Sequence, residues 1–403
     1  MTRESGNERR RGPLAHVFSL RAVRWDALDW HVVLLAFGLL ALGMTFVHAM
    51  HSADVLHERA PADSIDFDKH VVKVLMALPF LVLGLALRAR WIARQAWLIY
   101  SACLVLLLLT PLLGDSRNGA RRWIAMPGNF DLQPSELAKI GVILMLARIL
   151  YKNKLQRPSD WWPPLVVALV PMALVARQPD LGTALSLVPV TLGMLYIAGA
   201  RAGVIARFLV AALVLGVGIW KLEFGVHDYQ LRRINTWAAS FEPQQLIDHK
   251  GGAAFHSYHA RVAIGNGGLL GEGLGSGIAN KAAHLPERDC DSIFAVVAEE
   301  SGWLGTTGIL LVYTLLVAAI LASAGNLRDR FSRLAVAGVG LYFAAHLFIH
   351  ASVNLGLIPL TGIPLPLFST GGSSMMATML ALGLALGLAA NREPSLDRDS
   401  FRA

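Results

Sequence analysis

Several sets of charged residues in this chain have the types and spacing to do chemistry. The stretch from His284 to Glu300 carries Glu287, Arg288, Asp289 and Asp291 just ahead of an apolar run, then Glu299 and Glu300 inside it. A carboxylate at the mouth of a membrane helix can take a proton from a substrate hydroxyl, and one placed deeper must face protein, because an ionised side chain is costly in lipid. Arginines come as the pairs Arg121-Arg122 and Arg232-Arg233, and paired guanidinium forks beside a membrane suit a diphosphate-bearing ligand. Glu136 and Lys139 share one face of the helix that Pro134 and Ser135 start, so they should pair. Asp180 follows Pro179 in a turn, where it can cap the next helix. His346 and His350 are four apart, but no zinc signature surrounds them, and hydrogen bonding between helices is the expectation. Gly362 to Ser374, including Ser373, mixes prolines, glycines and hydroxyls and reads as an ordered re-entry that caps the bundle. Irregular backbone survives at membrane depth only when it is buried in protein or lines a wet cavity.

These groups must be positioned by an unusually apolar chain. Of 403 residues, 55% are hydrophobic and 16% charged, which excludes a soluble multidomain protein. Apolar runs at about 31–50, 70–88, 95–113, 135–151, 162–178, 181–200, 203–220, 291–322, 333–356 and 371–390 are each long enough to cross hydrocarbon as a helix. The expected fold is an all-α polytopic membrane protein of about ten transmembrane helices, with a large external loop, 221–290, between spans seven and eight. The expected organisation is a tail over 1–30, a membrane domain over 31–390 and a second tail over 391–403. No small-residue cleavage site follows the first run, so it is read as a retained span. Basic residues before span one (Arg9, Arg10, Arg11) and between spans two and three (Arg88, Arg90, Arg94) place those segments, and both termini, in the cytoplasm. The net charge of +8 then needs no nucleic acid to explain it. The loop 221–290 is too long for a plain connection and is expected to be a small subdomain, with an amphipathic helix over Tyr258–Ile264 followed by glycine-rich turns. Cys103 and Cys290 are expected to be free thiols. No internal repeat is visible, which disfavours an inverted-repeat transporter.

The motifs resemble one family, the SEDS (shape, elongation, division and sporulation) glycosyltransferases, to which RodA and FtsW belong. The resemblance rests on Gly119-Ala-Arg-Arg-Trp-Ile124, Gln133 to Lys139, Gln178-Pro-Asp-Leu-Gly-Thr183, Tyr229-Gln-Leu-Arg-Arg-Ile234, Ala263-Ile-Gly-Asn-Gly-Gly268, Leu285 to Glu300 and Gly362 to Ser374, in family order. The Gly-Ile-Pro-Leu-Pro run at 362–366 leans towards RodA. The resemblance implies a peptidoglycan polymerase of the bacterial cytoplasmic (inner) membrane that uses lipid II. It also implies a class B penicillin-binding protein as partner, among other proteins of the elongation complex. Asp291 takes the place of the family's essential Asp, and Glu136 and Lys139 match its polar pair. The chain departs from the family pattern where Asp289, Cys290 and Ser292 replace His, Thr and Phe, and where His259-Ala260 replaces Gln-Ser.

Joining a sugar hydroxyl to the anomeric carbon of a sugar diphosphate lipid needs a base for the hydroxyl and positive charge for the departing diphosphate. Asp291 is the expected base. Arg121, Arg122, Arg232, Arg233 and Lys139 are the expected anion stabilisers, and Glu136, Asp180, Glu287, Arg288 and Ser373 complete the expected substrate site. A single base without a carboxylate nucleophile implies inversion at the anomeric centre. No metal ligand is assigned, and a divalent cation (Mg or Mn) is left open, since Asp289 and Asp291 could contribute to one. A like charge on Asp289 would raise the pKa of Asp291. Two rival readings are a flippase for a lipid-linked precursor and a non-catalytic scaffold for a transpeptidase.

Overall fold

The computed structural model describes residues 25–59, 64–117, 120–126, 130–153, 155–222, 228–241, 255–282 and 285–390. The tails over 1–24 and 391–403, with Arg9, Arg10 and Arg11, and His284 lie outside the described residues. The helices are α1 (Trp30–Leu56), α2 (Phe67–Ala86), α3 (Ala89–Leu113), α4 (Pro134–Leu150), α5 (Trp162–Arg177), α6 (Leu181–Ala198) and α7 (Ala202–Leu222). They are followed by α8 (Asp228–Ala239), α9 (Phe255–Asn266), α10 (Ile278–Ala282), α11 (Ile293–Gly325), α12 (Arg330–Asn354) and α13 (Gly372–Ala389).

Eight of these are long and apolar enough to cross a membrane: α1, α2, α3, α5 with the short turn before it, α6, α11, α12 and α13. The other two runs read as spans are α4, of 17 residues and mostly buried, and α7, of 21 residues and apolar over most of its length. Aspartates start several of the long helices. Asp29 accepts from the His31 and Val32 amides at 3.1 and 3.4 Å, Asp66 from Lys69 N at 3.0 Å and Asp329 from Ser332 N at 2.8 Å. Each satisfies amides that a helix start leaves without partners. Leu34, Leu75, Leu108, Leu169 and Leu311 are exposed on the outer helices, whereas α4, α12 and α13 form the centre. The tightest helix pair is α2 with α13. A Cβ on Gly383 would lie 2.1 Å from Leu81 O and one on Gly84 2.6 Å from Leu380 O, so the two backbones touch.

The structure adds three features that apolar run length does not show. The segment between α3 and α4 has regular structure of its own. It holds three short antiparallel strands, β1 (Asp115–Arg117), β2 (Ala120–Met126) and β3 (Phe130–Leu132), in the order β1-β2-β3. Pairing satisfies backbone groups that would otherwise sit bare at a membrane boundary. The stretch after Pro286 does not run straight into a helix. It turns, and α11 begins at Ile293, two residues beyond Asp291. Finally, α11 is broken at Gly302 (φ 65°, ψ −170°).

The break is closed by the glycine-rich turn after α9. Trp303 N donates to Gly268 O at 2.8 Å and Leu304 N to Leu269 O at 3.2 Å, while Glu272 N and Gly273 N donate to the carbonyls of Glu299 and Glu300 at 3.0 Å each. The groups freed by the break thus find protein partners. A Cβ on Gly302 would lie 2.3 Å from Gly271 N, in a backbone conformation open only to glycine. Gly302→Ala is therefore expected to cost at least ~1–3 kcal/mol from backbone strain alone. It should lower the thermal midpoint of the detergent-solubilised chain, measured by tryptophan fluorescence; an unchanged midpoint would show that the glycine turn is not docked as described.

Candidate active site

The loop between Leu285 and Ser292 is a tight turn held from two sides. Glu287 adopts φ 46°, and its carbonyl accepts from Cys290 N at 3.0 Å and Ser292 N at 3.1 Å. From the 362–374 segment, Thr370 N donates to Asp289 O at 3.1 Å, its hydroxyl donates to the Asp289 carboxylate, and Ser369 Oγ donates to Cys290 O at 3.0 Å. From the end of α12, Asn354 Nδ2 donates to Asp291 O at 3.1 Å. These bonds fix the backbone around Asp291 and leave its carboxylate without a hydrogen bond among the described residues. Gly362 keeps space beside it, since a Cβ there would lie 3.2 Å from Asp291 Oδ2.

Asp291 is pushed up to about 7, mainly by burial, then by the negative charges of Glu287, Asp289 and Asp180, with Arg233 pulling the other way. The expected like-charge effect of Asp289 is present but secondary. Glu287 is raised too, by burial first and Asp289 second. Burial raises the Cys290 thiol well above its ordinary value, so it stays protonated. Both cysteines are free thiols.

Asp180 caps α6 as expected, with Oδ1 accepting from Thr183 N at 3.1 Å. Its other oxygen accepts from Gln133 Nε2 at 3.1 Å, and the Arg122 guanidinium stands 3.7 Å away. Ser373 ties this corner together: its Oγ accepts from Gln133 N at 2.9 Å and donates to Asp131 O. Below it, Glu136 and Lys139 pair at 2.8 Å in almost complete burial. Lys139 Nζ also donates to His346 Nε2 at 2.8 Å, which requires the ring proton on Nδ1, where it meets Tyr342 O at 2.9 Å. The interhelical bond expected of His346 is thus made, to the lysine. His350 Nδ1 instead meets Ile363 O at 2.8 Å, which anchors the 362–374 segment.

The structure brings Asp291, Asp180, Arg122 and Arg233 to one end of the bundle, with Arg233 also donating to Leu360 O at 3.2 Å. It does not bring in every expected residue. Arg232 is exposed, and Arg121 is exposed with one guanidinium nitrogen 3.4 Å from Pro111 O. Arg288 is buried and turned away, its guanidinium bound to Asp54 and to Asn280 O at 3.3 Å. Asp54 also takes Arg59 and Ile65 N, and Asn280 donates to Glu300. Glu299 accepts from Ala279 N at 2.9 Å and from Asn266 Nδ2 at 3.2 Å. Glu299 and Glu300 do face the protein interior, where they anchor the glycine turn and α10.

Sequence reasoning passed over Asp54, although an acid near the end of an apolar run is a signal in itself. It also passed over His256. That ring Nε2 lies 2.7 Å from Ser292 Oγ, which donates to Pro286 O at 3.0 Å, so the neutral ring donates to the hydroxyl. Burial, aided by Arg233, lowers His256 to about 4 and keeps it neutral. Nothing in the spacing of residues 256 and 292 announces this pair.

Among the described residues no group of three or more His, Cys, Asp or Glu side chains could hold a metal ion. Asp289 is already engaged by Thr370, so this donor set does not fit a Mg or Mn ion held by the protein alone.

The FtsW, RodA and SpoVE cell cycle protein model matches residues 29–393. The chain is 33% identical over 343 residues to the peptidoglycan glycosyltransferase MrdB of Escherichia coli strain K12, covering 82% of this chain and 87% of that one. It is 34% identical over 376 residues to the probable peptidoglycan glycosyltransferase FtsW of Halorhodospira halophila, covering 88% of each. Among solved structures, the rod shape determining protein RodA of Thermus thermophilus superposes with a TM-score of 0.66 at 27% identity, over 92% of this chain and 99% of that one. A chain from a peptidoglycan synthase complex that coordinates polymerization and crosslinking superposes with a TM-score of 0.74 at 28% identity, over 91% of this chain and 98% of that one. With its apolar helices, its broken α11 and its one-ended charged site, this chain is a multi-pass membrane protein that belongs to the FtsW, RodA and SpoVE family.

Proposed function

We propose that this protein is a peptidoglycan glycosyltransferase that polymerises lipid II into glycan strands on the outer face of the bacterial cytoplasmic membrane during cell elongation, with both termini in the cytoplasm. The observation that carries the reading is the Asp291 carboxylate: free of hydrogen bonds among the described residues, raised to about 7, and close to Arg233 and Asp180. A base with a pKa near the working pH removes a hydroxyl proton most effectively. In the reaction, the acceptor sugar's 4-hydroxyl oxygen bonds to the anomeric carbon of the donor as its proton passes to Asp291. The bond from that carbon to the diphosphate breaks, and the lipid diphosphate leaves with the electron pair. Arg233 and Arg122 stabilise the leaving charge. Attack opposite the leaving group inverts the anomeric centre. Glu136 N donates to Gln133 O at 3.0 Å, so the helix start that carries the Glu136–Lys139 pair positions Gln133 against Ser373 and Asp180, and no step runs through a cation.

A class B penicillin-binding protein is the proposed partner, in keeping with the crosslinking named for the neighbouring complex. A flippase for a lipid-linked precursor would need comparable polar groups at both ends of the bundle, whereas the Asp291 group lies at one. The test supplies lipid II to the purified full-length chain, with and without the partner, in detergent and in liposomes. Lysozyme-sensitive polymer is the expected product. Translocation of lipid II across liposomes without polymer would replace this reading with the flippase, and neither polymer nor translocation would favour the scaffold.

A further inference from the structure

A cleft of about 790 Å³ opens beside the catalytic loop, between the start of α2 and residues 285–289. Its cations are Lys69 and Lys73 of α2 with Arg59 and Arg288, both bound to Asp54, and its carboxylates are Asp66, Glu287 and Asp289, with His70 and Thr370 beside them. Arg122, Asp180, Arg233 and Asp291 do not line it, so the cleft is separate from the side where the donor diphosphate would lie. Its groups are only partly used. Lys73 Nζ spends one donor on Thr370 O at 3.1 Å, and Lys69 meets Asp66 at 3.0 Å with 76% of its side chain exposed. The Glu287 carboxylate has no hydrogen bond among the described residues. His70 is only 2% exposed, and its Nδ1 is buried without a hydrogen-bond partner.

We propose that this cleft is a strand-holding subsite, which grips the growing glycan a few sugars behind the end that reacts at Asp291. The inference rests on the polymerase reading above. The mixed lining selects the ligand class. Hydroxyl and acetamide groups of a saccharide need donors and acceptors together, and its acidic substituents need the two lysines. The four cations are matched by Asp66, Glu287, Asp289 and the Asp54 that binds both arginines, so the cleft offers no net positive charge for a polyphosphate or an anionic lipid headgroup. Asp289 lines the cleft and lies two residues from Asp291, so their Cα atoms are at most ~7 Å apart and the cleft borders the loop that carries the base. The cleft is also several times larger than one sugar needs.

The test compares wild-type full-length protein with Lys69→Glu and Lys69→Arg, all supplied with lipid II, and reads polymer length at low conversion beside lipid II turnover. Lys69 is exposed, so the variants should fold, and a shared size-exclusion profile and thermal midpoint check this. Lys69→Glu should shorten the mean chain about fivefold, as expected when one charged contact is lost and release outruns extension, while turnover stays at the wild-type level. Lys69→Arg should keep wild-type length. Unchanged length in Lys69→Glu, or length and turnover falling together, overturns the subsite. Shortening that appears only in liposomes containing phosphatidylglycerol assigns the cleft to a lipid headgroup and also overturns it. A wild-type protein that makes no polymer fails the polymerase reading instead, so the two failures are distinct.

Discussion

Asp291→Asn is expected to cut lipid II polymerisation by at least ~10²–10⁴-fold, the usual contribution of a positioned general base, with the fold intact. The amide matches the carboxylate in shape but cannot take a proton. Little else changes, because among the described residues the carboxylate makes no hydrogen bond, and Asn354 still reaches the backbone carbonyl. Polymer at near wild-type rate from a well-folded Asp291→Asn protein would remove Asp291 from the mechanism. The same carboxylate sets a pH profile. Burial and the nearby carboxylates hold it at about 7, and a base works only when ionised, so the rate should be half-maximal near that pH and fall on the acid side. Glu287→Gln removes a neighbouring negative charge, which makes the ionised form of Asp291 easier to reach. The acid limb should then move to lower pH, and a limb that stays in place or moves up would contradict the charge arrangement.

The second large effect is structural. Asp54 is 1% exposed and holds two arginines, Arg59 and Arg288, that reach it from separate parts of the chain. Asp54→Ala leaves buried guanidinium charge without its counter-ion, a change that typically costs ~3–5 kcal/mol. The loss should appear as a large drop in thermal midpoint and in the yield of monodisperse protein. Activity should fall with it, since Arg288 and Asn280 link the catalytic loop to the glycine turn. Replacing both partners, as in Asp54→Leu with Arg288→Met, should recover much of the stability, because apolar pairs of similar volume often match a buried ion pair. A single Asp54→Ala variant as stable as wild type would show that the pair carries no such burden.

Much of the architecture was legible before any coordinates. Long apolar runs dictate helices in a bilayer, because lipid offers backbone groups no other partner, and the runs at 31–50 and 333–356 became α1 and α12. The local signals also held. Asp180 caps α6, Glu136 and Lys139 pair one turn apart, and the amphipathic stretch 258–264 lies within α9. Each depends on neighbours within a few residues, so spacing is enough to reveal it.

The misses share a different cause. Glu299, Glu300 and Ser301 interrupt the apolar run of α11 just before Gly302 but do not by themselves announce a break, which is seen only where the glycine turn supplies substitute hydrogen bonds. Arg288 reads as part of the substrate site beside Glu287 until the fold delivers Asp54, 234 residues away in sequence. The same holds for His256 and Ser292, and for Thr370 on Asp289. By itself, then, the sequence determined the membrane class and most of the helices, because those follow from run length and local motif, while the resemblance to the SEDS family singled out Asp291 as the base candidate. The tertiary structure alone decided which charges gather near Asp291 and which are spent on ion pairs elsewhere in the fold. A long side chain is committed by whatever partner burial places within hydrogen-bond reach, and that partner comes from elsewhere in the chain.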